Sequence, residues 1–184
     1  VWLYAAPAPT PMLSYAVRER YCDAGIVITA SHNPAKYNGY KAYGADGSQM
    51  GPEAADYVLD IMNKVDIFEG VKTMDFEKGV EDGIIEFIED SFLDKYFSLV
   101  LSRSINPETA KNTDLSVIYT PLNGTGNKPV RKILSMMGIK DVTVVPVQEN
   151  PDGRFPTCSF PNPEIREAFN EALKIAESKK ADLL

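Results

Sequence analysis

Histidine, tryptophan and cysteine are scarce in this sequence of 184 residues, which has one His, one Trp and two Cys. The cysteines, Cys22 and Cys158, stand far apart and show no metal-ligand spacing, which excludes a disulfide scaffold and predicts free thiols. Because His32 is the only histidine, no other imidazole can act as the usual base of a serine hydrolase triad.

Long apolar runs and an excess of positive charge are also lacking. No run approaches the roughly 20 apolar residues that a membrane-spanning helix needs, and no charged-then-apolar leader resembles a signal peptide. Asp and Glu number 26 against 19 Lys and Arg, so the formal net charge is −7. This balance argues against a broad basic face for nucleic acid. We therefore expect a cytoplasmic protein with neither nucleic acid nor membrane as a partner.

Apolar residues are plentiful, at 44% of the chain, which predicts a packed core in one large domain or two modest ones. The chain opens directly on a strand-like run at residues 1–6 and closes as another apolar run begins at residue 181. Natural termini are usually exposed and polar. We therefore expect a segment of a longer protein.

The sequence pattern alternates between strands and helices, which predicts an α/β class made of two units. In the first unit, strand, helix and strand in succession predict a parallel crossover, and the loop 30–37 followed by a second strand-like run predicts a hairpin. Thr10 is the expected N-cap of that helix, and a further helix opening at Pro52 carries an apolar stripe. The predicted elements of this part are a buried strand 1–6, a helix 11–21, strands 26–29 and 39–43, the helix from 52 and an inter-domain connection 66–83.

The second unit shows the same alternation after a long helical pattern. Its predicted elements are a helix 84–102, a strand 115–119, a helix 126–137, a strand 142–147, a helix 163–178 and a strand from 181.

Ser31, His32, Asn33 and Pro34 follow the apolar strand at the point where it ends. Ligands of open α/β sheets bind beyond the carboxyl ends of the strands, which favours a functional loop. The alternative is an ordinary turn in which Ser31 or Asn33 caps neighbouring amides. A serine hydrolase is a weak alternative, because adjacent Ser and His side chains diverge and the Gly-x-Ser-x-Gly elbow is absent.

The stretch Thr29-Ala30-Ser31-His32-Asn33-Pro34, followed by Asn38-Gly39 and Lys41, resembles the phosphoserine signature of the α-D-phosphohexomutase superfamily, which contains phosphoglucomutases and phosphomannomutases. Three further stretches carry the resemblance, namely Ala8-Pro9-Thr10-Pro11, the run from Thr120 to Gly126, and Asp152-Gly153-Arg154-Phe155-Pro156 with Pro161-Asn162-Pro163-Glu164. The stretches 37–41 and 160–164 are most similar in sequence to bacterial phosphoglucomutases of the phosphopentomutase-like branch.

The resemblance implies two mixed-sheet α/β/α units of the phosphohexomutase type, both truncated. Residues 1–84 would be the C-terminal part of domain I, with the phosphoserine loop. Residues 85–184 would be most of domain II, ending before the metal-binding loop.

The resemblance also implies roles for three residues. Ser31 would carry a phosphoryl group, His32 would orient it or donate a hydrogen bond, and Lys41 would act as charge stabiliser or general base. On the residues alone, the favoured interpretation of Lys41 is an exposed strand lysine. Mg²⁺ would be bound by the Ser31 phosphate and by three aspartates of an Asp-x-Asp-x-Asp-Arg loop. That motif does not occur here, and we expect it after Leu184. Substrate-binding residues remain unassigned.

The implied function is interconversion of glucose 1-phosphate and glucose 6-phosphate through a sugar bisphosphate, which also serves as activator. Phosphomannomutase, phosphopentomutase and a non-catalytic α/β binding module are the alternatives. We expect the 184 residues alone to be inactive. Gly124 and Gly126 would either cradle a phosphate or form a tight turn, and Asn123 stands where the family often has histidine.

Overall fold

A computed structural model describes all 184 residues, Val1–Leu184, and divides them into two compact units. The first comprises Val1–Ile28 and Tyr40–Leu93, and the second comprises Thr29–Gly39 and Asp94–Leu184. Both combine helices with short two-stranded sheets, parallel or antiparallel, which confirms the predicted mixed α/β class. The boundary between residues 84 and 85 concerns the family's domains and stays a prediction.

The first half of the chain contains four strands and four helices. They are β1 (Trp2–Leu3), α1 (Thr10–Glu19), β2 (Ala24–Ile28), β3 (Tyr40–Gly44), α2 (Pro52–Met62), α3 (Phe76–Glu81), β4 (Glu86–Phe87) and α4 (Asp90–Leu101). Strands β2 and β3 pair antiparallel, as predicted, with Gly25 opposite Tyr43 and Val27 opposite Lys41. The Asn38-Gly39 pair does not form a two-residue hairpin turn, because neither residue has a positive φ.

The parallel crossover predicted between the first two strands is wrong. Strand β1 pairs in parallel with β4, whereas β2 pairs only with β3. The amides of Glu86 and Ile88 donate to the carbonyls of Val1 and Leu3, both at 2.9 Å. Periodicity identifies strands but not their partners, so a pairing between residues more than 80 positions apart leaves no local signal.

Helix α1 packs closely on the β2–β3 hairpin, because Gly25 has no side chain to separate them. A Cβ at Gly25 would lie 2.5 Å from Cγ2 of Val17 and 3.1 Å from Cδ1 of Leu13. The buried residues around this contact are Met12, Tyr15, Ala16, Val17 and Tyr43. The helix begins one residue earlier than predicted, with Pro9 rather than Thr10 at the N-cap and no side-chain cap.

Three other predictions for the first half need correction. Residues 1–6 form only the short strand β1, and Leu3 is exposed rather than buried, because this sheet has two strands. The predicted connection 66–83 contains α3, and the predicted helix 84–102 divides into β4 and α4. Helix α2 forms as predicted but has no buried residue on its apolar stripe.

The second half is built around a parallel βαβ unit. Its elements are α5 (Pro107–Lys111), β5 (Ser116–Tyr119), α6 (Asn127–Met137), β6 (Asp141–Val144), two 3₁₀ turns (Pro146–Gln148 and Arg166–Phe169) and α7 (Asn170–Lys179). Strands β5 and β6 pair in parallel with α6 between them, as predicted. The core cluster consists of Ile118, Val145 and Ala172. The strand predicted from residue 181 is a single bridge between Val117 and Leu183. No helix of the chain is both long enough and apolar enough to cross a membrane.

Because helix α1 approaches so closely at Gly25, a side chain at this position should destabilise the first unit. Gly25→Ala should lower its free energy of unfolding by about 1–3 kcal/mol, because overpacking must displace Val17. Urea unfolding followed by the fluorescence of Trp2, the only tryptophan, measures this unit. Gly51→Ala is the control, since nothing lies within 4 Å of its Cβ position. Equal losses in the two variants would contradict the packing argument.

Candidate active site

The loop that contains Ser31, residues 29–39, connects β2 to β3 and is here named the Ser31 loop. Its base is closed by one main-chain hydrogen bond, in which the Thr29 amide donates to the Gly39 carbonyl at 2.8 Å. The Gly39 amide donates in turn to Oδ1 of Asn38 at 2.9 Å. A Cβ at Gly39 would lie 3.3 Å from the Thr29 carbonyl oxygen, so a small residue suits this close crossing.

Ser31 lies at the outer end of this loop in a left-handed backbone conformation, with φ of +56°. Its amide donates to Oγ1 of Thr29 at 2.9 Å, and the Asn33 amide donates to the Ala30 carbonyl at 3.1 Å. A left-handed conformation costs a residue other than glycine about 1–2 kcal/mol. One hydrogen bond contributes about 0.5–1.5 kcal/mol, so the bond to Thr29 offsets much of that cost. The turn leaves Ser31 exposed.

His32 and Lys41, the other two predicted catalytic residues, have different surroundings. His32 shares the exposed turn with Ser31. Lys41 lies outside the loop, in β3, and is half-buried. Because directly opposite residues of an antiparallel pair share a face, Lys41 lies on the face of Val27 and, two residues along, of Gly25. That is the face against which α1 packs. Neither side chain forms an ion pair in this structure.

The second predicted loop, residues 120–126, is held by its own buried polar groups. Asn123 is only 6% exposed and has a φ of +55°. Its Nδ2 donates to the carbonyls of Asn150 at 2.9 Å and Val147 at 3.3 Å, while its main-chain amide donates to the Gln148 carbonyl at 2.9 Å. The side chain therefore fixes the conformation of the loop.

Gln148 is fully buried and ties this loop to the rest of the second unit. Its Oε1 accepts from the Thr120 hydroxyl at 2.7 Å, and its Nε2 donates to Oγ1 of Thr157 at 2.9 Å.

Gly126 packs against the Tyr119 hydroxyl, where any Cβ would clash. Burial also raises the pKa of Tyr119. The close contact with Tyr119 is sufficient to explain the glycine at position 126, so no phosphate ligand is needed to account for it.

Asp152 and Arg154 form a local ion pair in the Asp-Gly-Arg stretch. The guanidinium of Arg154 donates to Oδ1 and Oδ2 of Asp152 at 2.9 and 2.7 Å, and its main-chain amide donates to Oδ1. The side-chain hydrogen bonds and then the amide lower the pKa of Asp152 to about 2. This arrangement is a charged turn at the surface, as the sequence predicts for Asp152-Gly153.

The residues of this chain do not assemble a metal site of their own. No group of three or more His, Cys, Asp or Glu side chains lies close enough together to hold a metal ion. The donor set that Mg²⁺ needs, several oxygen ligands in octahedral geometry, is therefore not supplied by these residues alone.

Sequence reasoning missed two residues that build the candidate sites. Thr29 belongs to the signature motif but has no predicted role, and Gln148 belongs to none of the predicted motifs. A threonine two residues before a serine is the spacing of an ST-turn, which could have indicated Thr29. Gln148 gives only a weak signal, as a polar residue after an apolar run, because its partners Thr120 and Ala168 are distant in the sequence.

Models of two domains of one known family match this chain, and the first match includes the Ser31 loop, which the structure groups with the second unit. The model of the phosphoglucomutase/phosphomannomutase alpha/beta/alpha domain I matches residues 1–68, and the model of domain II matches residues 94–184. By architecture the chain is a pair of α/β units with a serine-bearing loop at the end of a strand. The chain belongs to the phosphoglucomutase/phosphomannomutase family.

Individual relatives agree with the family match. A phosphoglucomutase of Staphylococcus saprophyticus is 36% identical over 95% of this chain and 31% of that protein. A Haemophilus influenzae protein named as a probable phosphomannomutase is 32% identical over 100% of this chain and 36% of that protein. The chain thus spans about a third of the length of these curated relatives.

Two solved structures support the fold. The crystal structure of a phosphoglucomutase/phosphomannomutase family protein from Burkholderia thailandensis has a TM-score of 0.63 at 18% identity. The match covers 95% of this chain and 35% of the Burkholderia chain. A crystal structure assigned to a phosphomannomutase of Thermus thermophilus has a TM-score of 0.77 at 23% identity. It matches 100% of this chain and 38% of its own.

Proposed function

We propose that the protein containing this chain is a phosphosugar mutase in which Ser31 carries the phosphoryl group. The observation that carries the proposal is the exposed left-handed turn at Ser31, in the part of the chain that matches domain I. A serine that stores a phosphoryl group must reach a sugar hydroxyl, and an exposed strand-end turn permits that approach.

The reaction transfers one phosphoryl group in each direction. The substrate hydroxyl attacks the phosphorus on Ser31, its proton leaves to a base, and the bond to the serine oxygen breaks. The sugar is then a bisphosphate and Ser31 is free. After the sugar reorients, Oγ of Ser31 attacks the other phosphate and the isomeric monophosphate leaves. Such transfers depend mostly on positioning and charge stabilisation.

Lys41 and His32 are the chain's own contributions to this chemistry in the proposal. The lysine ammonium stabilises negative charge near the reacting phosphoryl group, or in its neutral form accepts the proton of the attacking hydroxyl. The imidazole of His32, next to Ser31 in the turn, hydrogen-bonds and orients the phosphoryl group. Both residues lie in the part of the chain that matches domain I of the family, which supports these roles.

We also propose that the whole protein uses magnesium as cofactor and a sugar bisphosphate as activator. From this chain, the ion would receive only a phosphoryl oxygen on Ser31, because no cluster of ligand side chains is present. When bound, the ion would supply charge neutralisation at the phosphoryl group. The sugar bisphosphate would supply the first phosphoryl group to Ser31.

Glucose 1-phosphate and glucose 6-phosphate are the proposed substrates, because several relatives at 32–36% identity are named phosphoglucomutase. Mannose and pentose phosphates are the alternatives within the family, and one relative is named as a probable phosphomannomutase. A cytoplasmic location, as expected from the sequence, is part of the same proposal.

Replacement of the proposed phosphoryl carrier tests the function in the full-length protein. Ser31→Ala should reduce mutase turnover at least about a thousandfold, because it removes the nucleophile. Intact-mass analysis after incubation with glucose 1,6-bisphosphate should show one phosphoryl group on the wild type and none on the variant. Ser98→Ala, at an exposed position of α4, is the matched control and should behave as wild type. Normal turnover by Ser31→Ala would contradict the role of Ser31 as phosphoryl carrier, whereas no turnover and no phosphorylation of the wild type would favour the non-catalytic binding module.

Substitution of Lys41 separates its role from that of a surface lysine. Lys41→Gln should lower kcat about a hundredfold, since it removes both the positive charge and the titratable amine. Lys36→Gln is the control, because Lys36 is exposed in the Ser31 loop, with Nζ 5.1 Å from the centre of the Tyr37 ring. Steady-state kinetics of the full-length variants give the result. An unchanged kcat for Lys41→Gln would assign Lys41 a structural role only.

A further inference from the structure

Thr29 contacts both the base and the outer end of the Ser31 loop. Its main-chain amide donates to the Gly39 carbonyl at 2.8 Å, which closes the base. Its side-chain Oγ1 accepts from the amide of Ser31 at 2.9 Å. One residue therefore joins the closing hydrogen bond of the loop to the backbone of the serine.

We propose that Thr29 is the positioning residue of Ser31. Its hydroxyl oxygen holds the Ser31 amide and thereby maintains the left-handed conformation, with φ of +56°, that presents the serine hydroxyl. The role belongs to the oxygen and not to the shape of the side chain, because a valine would fill the same space without accepting a hydrogen bond.

Loss of that oxygen releases the serine backbone. A left-handed conformation is unfavourable for serine unless local bonds compensate. Without an acceptor at position 29, the Ser31 amide turns to solvent and the residue relaxes toward negative φ, which moves its hydroxyl. Phosphoryl transfer is sensitive to such displacements because it depends on in-line geometry.

The functional consequence rests on the proposed function, whereas the backbone effect does not. The test therefore uses two measurements on the full-length protein. The first is the rate at which Ser31 gains a phosphoryl group from glucose 1,6-bisphosphate, followed by intact mass. The second is the hydrogen exchange of the Ser31 amide in dephosphorylated protein, followed by NMR with ¹⁵N-labelled serine.

Thr29→Val should slow phosphorylation of Ser31 by about tenfold and speed exchange of its amide by a similar factor, as expected for the loss of one hydrogen bond. Thr29→Ser keeps the oxygen and should stay within about twofold of wild type in both measurements. Thr73→Val is the matched control, because Thr73 is exposed and its loss of a hydroxyl should change neither rate.

Three outcomes would overturn the positioning role. They are normal phosphorylation of Thr29→Val, a Thr29→Ser variant as slow as Thr29→Val, and slow phosphorylation with unchanged exchange of the Ser31 amide. If the wild type itself gains no phosphoryl group, the proposed function fails. The exchange rates of the three Thr29 forms then still decide whether its oxygen holds the Ser31 amide.

Discussion

The contact between helix α1 and strand β2 at Gly25 is the constraint on which the first unit depends. The helix can approach the hairpin only because position 25 has no Cβ, and Val17 occupies the space that a side chain would need. The same approach buries Tyr43, the partner of Gly25 across the hairpin. With β2 and β3 fixed in register, the segment between them begins and ends at defined points.

The Ser31 loop adds a second, smaller constraint. Its base is held by one main-chain hydrogen bond, and its turn is held by the side chain of Thr29. The energies involved are small, about 1–2 kcal/mol for the left-handed serine and about 0.5–1.5 kcal/mol for the hydrogen bond. The hydrogen bond therefore offsets much of the cost of the left-handed conformation, and the turn leaves Ser31 exposed. In contrast, the loop at Asn123 is fixed by buried hydrogen bonds and is suited to a structural role.

Local features of the fold could be predicted from the sequence, and long-range pairings could not. The hairpin follows from two strand-like runs on either side of a polar loop, and the parallel βαβ unit follows from an alternation of apolar patterns. The pairing of β1 with β4 and the role of Gln148 depend on residues that are distant in sequence. In the candidate site the motif identifies Ser31, and the ST-turn spacing of Thr29 and Ser31 is a local signal for the bond that holds the serine backbone.

If Ser31 stores the phosphoryl group, that group can be located on its side chain during turnover. Full-length protein would be incubated with a glucose bisphosphate whose phosphoryl groups carry ¹⁸O, digested, and sequenced by tandem mass spectrometry. The account predicts label on Ser31 and its loss when unlabelled glucose 1-phosphate is added. Label on another residue, or label on Ser31 that the substrate does not remove, would contradict it.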